Sequence, residues 1–416
     1  MPTASKMIAA TASLFLAAGA QVQVKPNDPN LYYDGVWYPK ATADSAVLQR
    51  YSDECMANAN CAPTWAVNVG IPQQQPGVVI RFRTASPSIV VKMRESDATP
   101  MANRRWPYQQ YGVYKDGIWA GTVTAPDRVA GRATVRGDGA EHSWEVLLPH
   151  QMALTFLGLE LDAGQSLKPM PKPEKPVYVA LGDSKTHGEG QTGAYEGYAW
   201  KVARAKGWEL INLATGGTTA NPEMASLNFP GKKIDVVSIE WGFNEWLSEY
   251  FTLEPSKDNY ANLLEEIRAA APKARIYCIL PTFTLQTQGK PAGEATLDEY
   301  RAAYKSLVAA RVAGGDKNIF VIEGQTLTTA ADVQPMPDGV HLTAKGAGHL
   351  ADGLIPLMSL DGQAGLATPG GGRAAPMGPG IGFLAAPWGP EYPAGYPAWR
   401  PDGRRIEPPL RIRATR

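Results

Sequence analysis

Four short polar segments in this chain bring together the residue types needed for nucleophilic attack on an acyl carbon. Gly182-Asp183-Ser184 offers a hydroxyl, and Asp338-Gly339-Val340-His341 offers an imidazole with a carboxylate three residues before it. Ala214-Thr215-Gly216-Gly217-Thr218 offers glycine backbone that a ligand can approach closely, and Glu240-Trp241-Gly242-Phe243-Asn244-Glu245 offers an amide. A serine hydroxyl is a poor nucleophile until a base takes its proton, and neutral imidazole is matched to that task near neutral pH. A carboxylate in the same loop can hold the tautomer of the ring and stabilise the imidazolium.

The chain has five histidines. His142 and His150 fall in a strand-rich front part and read as structural. His349 falls within the last helix and reads as a surface or core residue. His187 competes with His341 as base, but it shares the turn of Ser184 and lacks a carboxylate three residues upstream. It reads as a rim residue. Asp183 reads as a turn and helix-capping residue rather than a base.

Each of the four segments follows, directly or through a loop, a run that predicts a strand buried on both faces. Val177–Leu181 precedes the serine, Leu210–Leu213 the glycines, Val236–Ile239 the asparagine, and Ile319–Ile322 leads towards the histidine. A further run of this kind spans Arg275–Leu280. Helical periodicity separates them, from Asp258 to about Ala271 and from Thr296, with Glu299 at capping-box spacing, to Val312. Strands alternating with helices predict a parallel sheet three layers deep. In such a sheet ligands bind at the carboxyl ends of the strands, where all four segments fall.

In this order and after these strands, the four segments resemble the signature blocks of the SGNH (GDSL-like) hydrolase superfamily over about Pro176 to Met358. The resemblance implies a flavodoxin-like α/β/α catalytic domain, with Ser184 as nucleophile and Asp338 and His341 completing a triad. It implies an oxyanion hole formed by the backbone N–H groups of Ser184 and Gly217 and the side-chain amide of Asn244. The residue after Asn244, often Asp in the family, is Glu245 here. Glu245, Trp241, Trp246 and His187 are the candidates for substrate binding. No cofactor is implied, and no cluster has metal-ligand spacing.

The remaining sequence sets the context. Lys+Arg and Asp+Glu are balanced at 40 each, so there is no electrostatic footprint for nucleic acid and no polybasic block for a membrane surface. Lys6, an apolar run to Ala20 and the ending Ala18-Gly19-Ala20 predict a cleaved signal peptide over residues 1–20 and a secreted or periplasmic protein. That run is too short to span a bilayer well, and no later segment looks transmembrane. Cys55 and Cys61 lie in a loop-like stretch where a local disulfide could close, whereas Cys278 reads as a buried thiol.

Residues 21–167 read as short strands with frequent turns, including a Lys115-Asp116-Gly117 hairpin signal, and predict a β-sandwich, jelly-roll-like. The alternating prolines of 168–176 predict an extended linker to a catalytic domain over 177–360. Residues 361–416 are a Gly/Pro-rich tail with Trp388, Tyr392 and Tyr396, unable to fold alone. The segment Tyr111-Gly112-Val113-Tyr114-Lys115-Asp116-Gly117 resembles part of the β-sandwich that precedes the catalytic domain in some bacterial SGNH esterases, mostly carbohydrate esterases or uncharacterised proteins. That resemblance implies a short-chain, O-acetyl ester on carbohydrate as substrate, with a general short-chain esterase left open. A glycan-binding protein on the same fold and an acyltransferase using the same acyl-enzyme are the competing readings.

Overall fold

The computed structural model describes residues 20–68, 70–95, 110–124, 131–247, 251–287 and 295–361. The expected signal peptide, apart from Ala20, and the expected tail beyond Asp361 lie outside them.

Alternating apolar residues in the front part build two antiparallel sheets. The first contains β1 (Val22–Val24), β3 (Tyr38–Ala41), β4 (Ala46–Gln49), β6 (Ser88–Glu95), β9 (Arg132–Arg136) and β11 (Leu154–Leu161), ordered β3-β4-β11-β6-β9 with β1 also on β11. The second, ordered β2-β5-β10-β7-β8, contains β2 (Tyr32–Asp34), β5 (Val79–Thr84), β7 (Gln110–Lys115), β8 (Ile118–Thr124) and β10 (His142–Leu147). Leu48, Val91 and Phe156 from the first sheet share one core with Phe82, Val113 and Val146 from the second. The expected hairpin joins β7 to β8 through Asp116 and Gly117, both at positive φ, as a two-residue turn that matches strand twist requires. Two short helices, α1 (Asp53–Ala57) and α2 (Thr64–Asn68), leave this framework between β4 and β5, and a Cys55–Cys61 disulfide ties α1 to the loop between them.

The five apolar runs from residue 177 onward form a wholly parallel sheet, ordered β13-β12-β14-β15-β16. Its strands are β12 (Val177–Gly182), β13 (Glu209–Asn212), β14 (Val236–Glu240), β15 (Arg275–Ile279) and β16 (Ile319–Ile322). The helices are α3 (Ser184–His187), α4 (Tyr198–Lys206), α5 (Glu223–Ser226), α6 (Phe243–Leu247), α7 (Leu253–Ala270), α8 (Leu297–Ala313) and α9 (Ala344–Leu357). Alternate strand residues face opposite layers. Val179, Ile239 and Cys278 pack against α7 and α8, while Tyr178, Ala180 and Tyr277 pack against α4 and α9. The predicted capping box opens α8, with Thr296 and Glu299 bonded reciprocally, and Cys278 is a buried thiol. Helix α7 begins five residues earlier than the periodicity suggested, because Leu253 and Ser256 extend it before the apolar stripe starts.

The antiparallel sheets contact this layer directly. Val79, Tyr114 and Leu147 of the second sheet join the same core as α4 and α9. Arg81, buried in that sheet, pairs with Asp34 and Glu145, and Glu145 also pairs with Arg204 of α4 at 2.7 Å. A buried charge is tolerable only when paired in this way. Residues 168–176 carry no helix or strand. Among the described residues, no helix is long and apolar enough to cross a membrane.

Candidate active site

The strand order places β12 in the interior of the sheet, with β13 on one side and β14 on the other. The chain reverses direction across the sheet at this point, which opens a crevice at the carboxyl end of β12. Gly182, its last residue, pairs with Glu240 at the end of β14. A Cβ on Gly182 would lie 2.7 Å from the Glu240 carbonyl oxygen, so only glycine lets the chain turn there. Asp183 then caps α3, its carboxylate accepting from the Lys185 N–H at 3.1 Å, and Ser184 stands at the first helical position.

The loop ahead of α9 returns to this point. His341 Nε2 lies 2.8 Å from Ser184 Oγ, and His341 Nδ1 lies 2.7 Å from Asp338 Oδ2. The other oxygen of Asp338 accepts from the backbone N–H groups of Val340 at 2.9 Å and His341 at 2.8 Å. The loop is braced from a neighbouring strand end. Thr284 Oγ1 and the Leu285 N–H donate to the Gly339 carbonyl, and Gln286 Nε2 donates to the Asp338 carbonyl. His341 and Asp338 each keep about a fifth of their side-chain surface exposed, so a substrate can reach them.

Electrostatics follow from this geometry. Burial opposes the imidazolium of His341, but the Asp338 hydrogen bond and the negative charges of Glu189 and Asp338 outweigh it and raise its pKa. Burial likewise opposes the Asp338 carboxylate, yet the His341 ring and the two backbone N–H groups hold its pKa down at about 2. The pair is therefore a neutral or protonated ring beside a permanently ionised carboxylate.

The segments after β13 and β14 complete the crevice. A Cβ on Gly216 would lie 3.6 Å from Ser184 Cβ, which places this loop beside Ser184. Gly217 has φ +79°, and a Cβ there would lie 2.6 Å from the indole of Trp65, so glycine is required on two counts. Among the described residues, the Gly217 N–H donates to no protein acceptor. Asn244, at the start of α6, donates one amide hydrogen to the Thr218 carbonyl at 2.7 Å and keeps a second.

Three of the sequence-derived substrate candidates are not at the surface. Trp241 is fully buried, and Glu245 and Trp246 are nearly so. The two tryptophans share a core with Phe243, Tyr260 and Tyr304 beneath α7 and α8. The helical turn of α6 leaves Asn244 partly exposed and directs its neighbours inward. Glu245 Oε1 accepts from the Ala220 N–H at 2.8 Å, and burial pushes its pKa up to about 7. These residues brace the loops rather than line a substrate surface.

His187 is also corrected from rim to interior. It is 4% exposed, with its ring nitrogens 3.2 Å from the Ala214 carbonyl and 2.9 Å from the His150 carbonyl. Burial, then the nearby Arg50 charge, lowers its pKa well below the usual histidine value. Lys185 is buried as well, its ammonium 2.7 Å from Thr282 Oγ1 and over the Phe243 ring. His349 lies 2.7 Å from Asp332, away from Ser184. Sequence reasoning missed Trp65, Arg50 and Tyr51, which reach the loop after β13 from more than 140 residues upstream and carry no local signal of doing so.

Comparison with known proteins agrees with this architecture. Residues 180–348 match the GDSL-like Lipase/Acylhydrolase family. A salicylyl-acyltransferase from a tetracycline biosynthetic pathway superposes with a TM-score of 0.68 at 22% identity, over 80% of this chain and 95% of that one. A protein described as a GDSL-like lipase from Bacteroides ovatus gives 0.62 at 19% identity, over 80% and 95%. A family two carbohydrate esterase from Clostridium thermocellum, in complex with cellohexaose, gives 0.52 at 16% identity, over 81% and 97%. No curated protein matches the chain by sequence. The region similar to the GDSL-like Lipase/Acylhydrolase family, residues 180–348, contains Ser184, Gly217, Asn244, Asp338 and His341.

Proposed function

We propose that this protein is a secreted serine esterase that hydrolyses short-chain acyl esters, O-acetyl esters of carbohydrate in particular, through an acyl-enzyme on Ser184. The observation that carries the reading is the unbroken line of hydrogen bonds from Ser184 Oγ through His341 to Asp338. His341 Nε2 takes the hydroxyl proton as Oγ attacks the ester carbonyl, then passes it to the departing alcohol. Water repeats the sequence on the acyl-enzyme, releasing the acid and restoring Ser184. Asp338 fixes the ring and offsets its positive charge. The N–H groups of Ser184 and Gly217 and the free amide hydrogen of Asn244 receive the developing oxyanion.

In this reading the chain divides into a signal peptide over 1–20, a jelly-roll-like sandwich over 21–167, a linker over 168–176, a catalytic domain over 177–360 and a tail. The carbohydrate preference draws on the carbohydrate esterase that shares the fold. The acyltransferase that also shares it keeps transfer to an alcohol as the second reading, since both outcomes diverge only after the acyl-enzyme.

The test is labelling with a fluorophosphonate during p-nitrophenyl acetate turnover. Turnover should fall in proportion to phosphonylation of the peptide that carries Ser184, and full labelling without loss of turnover would overturn the assignment. Added methanol separates the two readings: acetate predominates for a hydrolase and methyl acetate for a transferase. Turnover is expected to be unaffected by EDTA.

Asn244→Ala is expected to lower kcat by roughly 10²–10³ with little change in KM, because the amide acts on the oxyanion rather than on the bound ester. The melting temperature should stay near wild type, since Asn244 is partly exposed. A parallel rise in KM with unchanged kcat would instead mark it as a ground-state contact.

A further inference from the structure

We infer that Arg50 and Tyr51, from the strand-rich front part of the chain, are positioning residues for the oxyanion side of the site; this rests on the esterase reading above. They follow directly on β4 and lie against the loop that leaves β13. Arg50 is 1% exposed, and its partners are carbonyl oxygens and the Tyr51 hydroxyl. Its Nε donates to the Gln74 carbonyl at 2.7 Å, and Nη2 reaches those of Ile71 and Pro72. Nη1 donates to the carbonyls of Asn212 and, at 3.1 Å, Ala214.

Tyr51 is equally buried and bonds the residues between and after these. Its hydroxyl lies 2.6 Å from the Leu213 carbonyl and 2.7 Å from Thr215 Oγ1. A phenol has one proton to give, so Leu213 takes it and Thr215 donates back. Three successive carbonyls, 212 to 214, and the next side chain are therefore held from one side. On the far side of the glycines, Thr218 Oγ1 returns to the Thr215 carbonyl at 2.7 Å, and Asn244 holds the Thr218 carbonyl.

The Gly216–Gly217 peptide is what remains between these two anchors. It carries an N–H with no protein acceptor among the described residues and a positive φ at Gly217 that glycine adopts freely, so its position depends on what holds its flanks. Burying a guanidinium among neutral carbonyls is costly, since no carboxylate among the described residues pairs with Arg50 to repay the lost hydration. That expense is intelligible when the carbonyls lead into a segment whose position within a fraction of an ångström sets the rate. The same stretch of chain also sends Trp65 against Gly217, after the Cys55–Cys61 disulfide. The antiparallel part is thus a structural component of the crevice wall.

The test uses the full chain carrying Tyr51→Phe, which keeps the ring and removes only the hydroxyl. The kcat for p-nitrophenyl acetate should fall about 10- to 100-fold with KM within about twofold. Affinity for phenylboronic acid, whose tetrahedral adduct on Ser184 mimics the oxyanion, should fall in parallel. The pH midpoint of kcat/KM should not move, because His341 and Asp338 are untouched. Thr215→Val removes the other end of the same contact and should show the same pattern, which guards against a Tyr51→Phe protein that fails to fold. Folded variants with wild-type kcat and boronate affinity would overturn the inference while leaving the esterase reading intact. Wild-type protein that neither turns over ester nor binds boronate would overturn both.

Discussion

Ser184→Ala is expected to abolish practical esterase activity, lowering kcat for p-nitrophenyl acetate by about 10⁶. The alanine has no atom to carry the acyl group, so the reaction loses its covalent route and His341 loses the proton it would take. What remains is water attack on an ester held by the oxyanion donors, a residual on the order of 10³–10⁴ above the uncatalysed rate. Because the serine and histidine act as one unit, adding His341→Ala to Ser184→Ala should cost little more. Fold stability should change by no more than about 1 kcal/mol, since Ser184 is partly exposed and gives up a single hydrogen bond. Retention of substantial turnover in a folded Ser184→Ala protein would remove the nucleophile from the mechanism. Retained binding of oligosaccharide without activity in the wild type would point instead to a glycan-binding protein on this fold.

The five parallel strands and the polar segments at their ends were legible because a strand buried on both faces writes itself as a continuous apolar run. Each such run ends where the next polar residues must meet the crevice. That basis located the segments that hold Ser184, Gly217, Asn244, Asp338 and His341, and the resemblance to SGNH hydrolases singled out those residues within them. The same logic misled at Trp241, Glu245 and Trp246. They too follow a strand end, but the five residues of α6 span little more than one helical turn, and its inward face is decided by α7 and α8, which no local pattern announces. His187 failed for a related reason: its distance from Ser184 along the chain is short, yet α3 rotates it away from the crevice and into the carbonyls of Ala214 and His150. Arg50, Tyr51 and Trp65 were beyond reach altogether. Their significance is a tertiary contact across more than 140 residues, made from a loop and a short helix whose sequences carry no local mark of it.

Asp338→Asn is the second large effect, an expected fall in kcat of about 10⁴ with the fold preserved, and the geometry specifies why. One oxygen of Asp338 accepts from two backbone N–H groups, and the other faces His341 Nδ1. An asparagine turned to keep its oxygen on the backbone donors presents its amide hydrogens to Nδ1. The opposite turn would set those hydrogens against two N–H donors, so it is disfavoured. The ring is then driven to carry its own proton on Nε2, facing Ser184, where it can no longer accept one. The pH dependence provides an independent check. In the wild type, kcat/KM should rise with pH as His341 loses its proton, with a midpoint above the ordinary histidine value of 6.5. Asp338, held at about 2, stays ionised throughout and adds no limb of its own. The variant loses the hydrogen bond and the charge that raise the His341 pKa, while the burial that lowers it persists, so the residual activity should rise through a midpoint displaced to lower pH. Rate profiles between about pH 5 and 9 on both proteins would show this. A variant with near-wild-type kcat and an unmoved midpoint would mean that Asp338 merely shapes the loop. A loss of rate joined to the acid shift would mean that its charge and its orientation of the ring act together.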